Sequence, residues 1–132
     1  NGNFPTNYKV QAQVNVNSHS NNCAGFTTRN DNQQGGYGFF VCSDSRWYMV
    51  YYKSIGGNSY FMERGQVAPH SSYTIEATSN GSVQSLSLDG IQVGSVNDGT
   101  FTTTDHITLS MYTYNHTDGT VIFSNFVFTP LP

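Results

Sequence analysis

The chain has 132 residues, enough for one domain with a substantial core. Only 10% are charged and 14% are aromatic, a profile of short strands joined by amide- and hydroxyl-rich turns, not of a disordered segment. The net charge of −3, with Lys9, Arg29, Arg46, Lys53 and Arg64 scattered along the sequence, argues against nucleic acid as a partner. No apolar run approaches the roughly 18 residues of a membrane helix.

The first residues, Asn1-Gly2-Asn3, read as a cut end, so residues 1–132 are expected to be a single domain excised from a larger secreted or surface protein. In YKVQAQVNV, Tyr8, Val10, Ala12, Val14 and Val16 alternate with Lys9, Gln11, Gln13 and Asn15, which predicts a half-buried strand. CAGFTTRN and GYGFFVC then form a hairpin around residues 31–34. Pairing Phe26 with Phe39 sets Ala24 against Val41 and Thr28 against Tyr37, a consistent core face. The opposite face pairs Gly25 with Phe40 and Cys23 with Cys42. Directly opposed strand positions bring two cysteines within disulfide reach. The alternative is two free thiols that are neighbours by chance. A disulfide would imply an oxidising compartment, hence an extracellular or cell-surface location.

A second hairpin, turning at Ser43-Asp44-Ser45, sets Val41 against Trp47, Phe39 against Met49 and Tyr37 against Tyr51. The stretch 35–53 carries seven aromatic residues in nineteen positions. This register places Tyr37, Phe39, Trp47 and Tyr51 in the core and turns Phe40, Arg46, Tyr48, Val50 and Tyr52 the other way. Residues 54–72 are the least regular and predict one short strand near Tyr60 and Phe61 between loops. YTIEATS resumes the alternation, with Tyr73, Ile75 and Ala77 inward. Asn80-Gly81, Asp89-Gly90 and Asp118-Gly119 supply the positive φ angles of tight hairpin turns. HITLSMYTY places Ile107, Leu109 and Met111 on the inner side and Tyr112 and Tyr114 outward. With Leu88 and Phe26, these complete the expected core. No segment shows helical spacing. The prediction is an all-β chain of nine or ten short strands, folded as a two-sheet antiparallel sandwich or a barrel.

The order of signals, from YKVQAQVNV through GGYGFFV, RWYMVYY and SVQSLSLDGIQVGSV to HITLSMYTY and VIFSNFVF, resembles the jelly-roll domains of the concanavalin A-like lectin and glucanase superfamily. It is most similar to the laminin-G-like and glycoside-hydrolase-associated modules of secreted bacterial proteins. The hairpins at Asn80-Gly81 and Asp89-Gly90 carry the most characteristic part of the likeness. The resemblance implies a sandwich and a lectin-like role, and it specifies fold better than function. Many such domains hold a structural calcium where the chain ends meet. Here Ser124 stands where an acid is common, leaving Asp98, Asp105 or Asp118 as carboxylate ligands, and no cofactor or metal ligand is assigned.

Enzyme readings find little support. Glycoside hydrolysis needs two carboxyl groups about 5 to 9.5 Å apart, yet the chain has only Glu63 and Glu76 as glutamates and no acidic pair two residues apart. Asp105 and Asp118 read as turn residues. His19, His70, His106 and His116 lie mostly in loops or at strand ends, with no nucleophile motif beside them. The resemblance, together with the outward rings, implies a non-catalytic carbohydrate-binding module, expected to be monomeric, with a glycan or cell-wall polysaccharide as partner. The rings of Phe40, Tyr48, Tyr52, Tyr112 and Tyr114 would stack on sugar, with Arg29 and Arg46 as flanking donors. Two alternatives stay open: these rings are a minor core covered by a loop or by residues 54–72, or the domain is a structural or sensory ectodomain that contacts protein.

Overall fold

The computed structural model describes residues 5–16, 22–31, 35–53, 59–102, 104, 106–113 and 121–132. Within them are ten strands: β1 (Tyr8–Asn15), β2 (Asn22–Asp31), β3 (Gly35–Cys42), β4 (Arg46–Tyr52), β5 (Ser59–Gln66), β6 (Ser72–Asn80), β7 (Val83–Leu88), β8 (Ile91–Asn97), β9 (His106–Thr113) and β10 (Ile122–Pro130). They form two antiparallel five-stranded sheets, ordered β10-β1-β6-β7-β8 and β5-β4-β3-β2-β9. The expected all-β sandwich is the fold observed.

The core lies between the sheets and follows the strand period. One sheet contributes Tyr8, Val10, Ala12 and Val14 from β1, Tyr73, Ile75 and Ala77 from β6, and Leu86 and Leu88 from β7. The other contributes Ala24 and Phe26 from β2, Tyr37, Phe39 and Val41 from β3, and Trp47 and Met49 from β4. The β2–β3 and β3–β4 registers expected from the sequence are those observed: Phe26 faces Phe39, Cys23 faces Cys42, and Val41 faces Trp47.

The hairpin turns follow from single dihedrals. Asp89 and Gly90, with φ of 54° and 83°, form the two-residue loop between Leu88 and Ile91. Two positive φ angles in succession match the right-handed strand twist. At the preceding turn the register pairs Asn80 with Val83, so the loop residues are Gly81 and Ser82, and the positive φ falls on Gly81 alone. Asp118-Gly119 lies outside the described residues.

Cys23 and Cys42 are bonded, closing a loop with a sequence separation of 19. A loop of that length stabilises the fold by about 3 kcal/mol through the unfolded chain. Titration of the denatured, unreduced chain is therefore expected to find no free sulfhydryl, and reduction to lower the unfolding temperature by about 10 °C. Two titratable thiols would overturn the pairing.

Two core expectations need correction. Leu109 and Met111 are 44% and 45% exposed, although Leu109 pairs with Phe26 and faces the core side. Their strand β9 is the edge of its sheet, where the facing sheet ends in β10, so alternation supplies direction but not cover. Ile107 is partly buried against the core. The span 54–72 contains an eight-residue strand, β5, longer than the short one expected.

One end of the sandwich is polar and buried. Tyr8 Oη lies 3.0 Å from Thr104 Oγ1 and accepts the Arg29 backbone N–H at 2.7 Å. Thr28, Ser79 and Gln84 continue this network, and Gln84 Nε2 donates to the Asp98 carbonyl. Tyr37 Oη is 2.7 Å from Asp98 Oδ1 and accepts the Phe101 N–H. Burial pushes the Tyr37 hydroxyl up to about 12, and its bond to Asp98 adds to the rise. Burial also acts to raise the Asp98 carboxyl, but hydrogen bonds from Tyr37 and Thr100 outweigh it and hold the group below the usual range.

Candidate functional site

The outer face of the β5-β4-β3-β2-β9 sheet is unlike a solvated strand face. Phe40, Tyr48 and Val50 are buried there, packed with Cys23 and Cys42 as a second small cluster, with Tyr52 at its margin. The cause is a glycine. A Cβ at Gly38 would lie 2.6 Å from Phe40 Cε2, 2.8 Å from Val50 Cγ2 and 3.1 Å from Tyr52 Oη. The bare backbone is what lets these groups close over the sheet. Burial also raises the Tyr52 hydroxyl above its ordinary value. Phe40 and Tyr48, expected as exposed stacking rings, are therefore minor core, and Tyr52 is half-buried.

Part of the cover over Tyr48 comes from β5, whose Phe61 ring lies 5.1 Å away, centroid to centroid. Strict alternation along SYFMERGQ would put Phe61 and Arg64 on opposite faces. A register shift prevents this. Val50 pairs with Phe61 while Met49 pairs with Glu63, leaving Met62 as the extra residue. Phe61, Arg64 and Gln66 consequently share the outer face with Arg46, Tyr48 and Val50. Phe61 is 58% exposed.

The result is a platform at the β4–β5 edge. The Arg64 guanidinium sits 4.9 Å from the Phe61 centroid, and that of Arg46 sits 5.8 Å from the Tyr48 centroid. Arg46 also pairs with Asp44. A cleft of about 340 Å³ opens between Arg46, Tyr48, Arg64, Gly65 and Gln66. It offers an aromatic surface, two guanidinium groups and one amide, the groups that recognise hydroxyl-rich or anionic molecules. On the inner side of the same strands, Gly65 leaves room for the Trp47 indole, 2.8 Å from where a Cβ would stand. Glu63 Oε1 accepts the Ser95 N–H across the sandwich edge. These contacts fix β5 and hence the platform.

Of the residues assigned from sequence, Arg46 belongs to this platform and Tyr48 forms its floor. Arg29 does not. It is fully buried, and its guanidinium donates to the carbonyls of Gly81, Phe101 and Thr6 and to Asn7 Oδ1. Tyr112 pairs with Cys23 in the sheet register, and Tyr114 lies outside the described residues. Phe61, Arg64 and Gln66 were missed because the bulge that aligns them leaves no mark in the alternation.

A second cleft, of about 230 Å³, is lined by Val67, Tyr73, Leu88, Ile91 and Val93, with His70 and Asp89 at its rim. His70 Nδ1 lies 3.2 Å from Asp89 Oδ2, and Asp89 Oδ1 accepts the Thr74 N–H. The pair fastens the start of β6 to the β7–β8 turn. Glu76 is bridged to Lys9 at 3.4 Å. Among the described residues, no three His, Cys, Asp or Glu side chains converge on a metal position. Of the calcium candidates within the described residues, Asp98 accepts hydrogen bonds from Tyr37 and Thr100 at Oδ1, and Ser124 carries no charge. Asp105 and Asp118 lie outside the described residues.

No family model and no curated protein matches the sequence. The fold does have counterparts among solved structures. Carbohydrate-binding module CBM66 from Bacillus subtilis superposes with a TM-score of 0.71 at 14% identity, over 94% of this chain and 75% of that one. Sheep galectin-11, solved in complex with glycerol, gives 0.63 at 8% identity, over 95% of this chain and 91% of its own. The binding domain of botulinum neurotoxin DC, solved with rat synaptotagmin II, gives 0.62 at 9% identity, over 94% of this chain and 32% of that one. At these identities the likeness establishes the sandwich.

Proposed function

We propose that this domain is a non-catalytic, extracellular carbohydrate-binding module of the concanavalin A-like kind, with its contact surface on the β4–β5 platform. The observation that carries this reading is the exposed Phe61 ring, tilted against Tyr48 at 5.1 Å and adjoining the open cleft that Arg46, Tyr48, Arg64 and Gln66 line. A flat ring offers apolar area to a sugar face at little entropic cost, and the adjacent donors suit hydroxyl oxygens. The sandwich is also shared with a carbohydrate-binding module and a galectin, and the disulfide agrees with an oxidising compartment.

The test is a glycan-array screen of the domain, followed by titration of Phe61→Ala. Because Phe61 is largely exposed, the variant is expected to unfold within a few degrees of the wild type while losing at least about tenfold in affinity. Retention of no glycan by the wild type would defeat the reading. Full affinity in Phe61→Ala would move the site elsewhere. Protein contact is the second reading, favoured by Leu109, Met111, Ile122, Phe126 and Val127, all more than 40% exposed on the edge strands β9 and β10.

A further inference from the structure

The fold gathers positive charge that the sequence scatters. Of the chain's five basic side chains, Arg29 is buried and Lys9 is bridged to Glu76 on the other sheet. The remaining three, Arg46, Lys53 and Arg64, all belong to the β4–β5 hairpin or its immediate end. Each lies over a ring: Arg46 over Tyr48, Arg64 over Phe61, and Lys53 over Tyr60 at 5.4 Å. The acids are otherwise engaged. Glu63 stands on β5 but turns inward to the Ser95 N–H, Asp89 holds His70, and Asp98 holds Tyr37. Asp44, in the turn before β4, neutralises Arg46. A protein of net charge −3 thus presents a locally basic, aromatic cleft.

Stacking on a ring leaves the guanidinium edge of Arg64 open, whereas that of Arg46 is shared with Asp44. A guanidinium lying over an aromatic face keeps its N–H fork in plane and directed outward, the geometry that grips a carboxylate or sulfate with two parallel bonds. Register pairs Arg64 with Tyr48 and places Arg46 one pleat further along, opposite Gln66. Both arginines therefore border the same cleft, on either side of its aromatic floor. A neutral sugar would use the rings and Gln66 but would leave unused the exposed guanidinium of Arg64, which makes no ion pair among the described residues. An anionic sugar uses all of them.

Resting on the carbohydrate-binding reading above, we infer that the ligand is an acidic polysaccharide, its ring seated on Phe61 and its anionic group held by Arg64, with the Asp44-paired Arg46 at the far side of the cleft. The experiment measures binding of the intact domain to polygalacturonate, to the same polymer after carboxyl reduction, and to dextran sulfate. It is run at low and high salt, for the wild type, Arg64→Gln, Arg46→Gln and the opposite-sheet control Lys9→Gln. The expected result is binding to polygalacturonate that weakens with salt and falls about tenfold in Arg64→Gln, with a smaller loss in Arg46→Gln, whose guanidinium is already paired with Asp44. Lys9→Gln should bind like the wild type, and the carboxyl-reduced polymer should be poorly retained. Preference for dextran sulfate would identify a sulfate as the anion, with the same dependence on Arg64. Equal binding of reduced and native polymer, unchanged in Arg64→Gln, would overturn the inference while leaving the carbohydrate reading intact. Absence of binding to every glycan would overturn both.

Discussion

Replacing Arg29 with alanine is expected to cost about 3–5 kcal/mol of stability and to lower the unfolding temperature by roughly 10–20 °C. The guanidinium is fully buried, yet its partners are neutral oxygens. One terminal nitrogen donates to Gly81 O at 2.6 Å and Phe101 O at 3.2 Å. The other donates to Thr6 O at 3.0 Å and Asn7 Oδ1 at 3.2 Å. Nε finds no acceptor among the described residues. Burial acts to lower the guanidinium pKa, opposed by the neighbouring Tyr8 and Tyr37 hydroxyls, and the shift is downward. What the side chain accomplishes is to tie four separate segments together: the approach to β1, the β6–β7 turn, the stretch after β8, and β2 itself.

Truncation removes all four bonds at once. It leaves the Phe101 carbonyl in a buried environment without its charged donor, and opens a void the size of the lost side chain. Arg29→Lys is expected to recover only part of the loss, because one ammonium cannot reach acceptors spread around a planar fork. Glycan affinity of the folded fraction should be unchanged, since no atom of Arg29 reaches the β4–β5 cleft. Thermal denaturation checks the prediction. An unfolding temperature within a few degrees of the wild type in Arg29→Ala would show that water replaces the guanidinium without loss.

Arg29 also shows how far a sequence can be read. Its neighbours Phe26 and Thr28 pair where alternation places them. Between Thr28 and Asp31 the register shifts, and Arg29 takes a φ of 45°. Once a strand bulges, period-two reasoning no longer says which way a side chain points. The same limit hid Phe61 and Arg64, which a second bulge brings onto one face. Hairpins with unbroken pairing, such as β3–β4 from Tyr37 to Trp47, were legible down to the individual pair because one buried face fixes the register. Exposure was less legible than direction. Phe40 and Tyr48 do point away from the main core, but Gly38 and a strand-edge phenylalanine let them build a smaller one. That outcome depends on a contact between β4 and β5 for which composition gives no signal.

A methyl group at Gly25 is expected to be more damaging than any truncation on the sheet surface. Gly25 lies within β2, paired with Phe40 on one side and Ser110 on the other. An added Cβ would stand 1.7 Å from the Phe39 carbonyl oxygen, 2.8 Å from its carbon and 3.0 Å from Phe40 Cα. All three are backbone atoms of the adjacent strand, so no rotamer change relieves the overlap. The β2–β3 ladder would have to separate, two residues from the Cys23–Cys42 bond that holds these strands together. Separation would in turn displace Phe40 and its cluster, which support Tyr48 and the platform above it. Gly25→Ala should therefore lose at least about 4 kcal/mol, or roughly 15 °C, and any folded remainder should bind ligand weakly. Gly81 provides the contrast. A Cβ there meets nothing within 4 Å, although φ is +60°. Gly81→Asn, which tolerates that dihedral, should remain within about 4 °C of the wild type. Denaturation of the two variants side by side decides the matter: equal stability of Gly25→Ala and wild type would mean that β2 and β3 lie further apart here than the overlap requires.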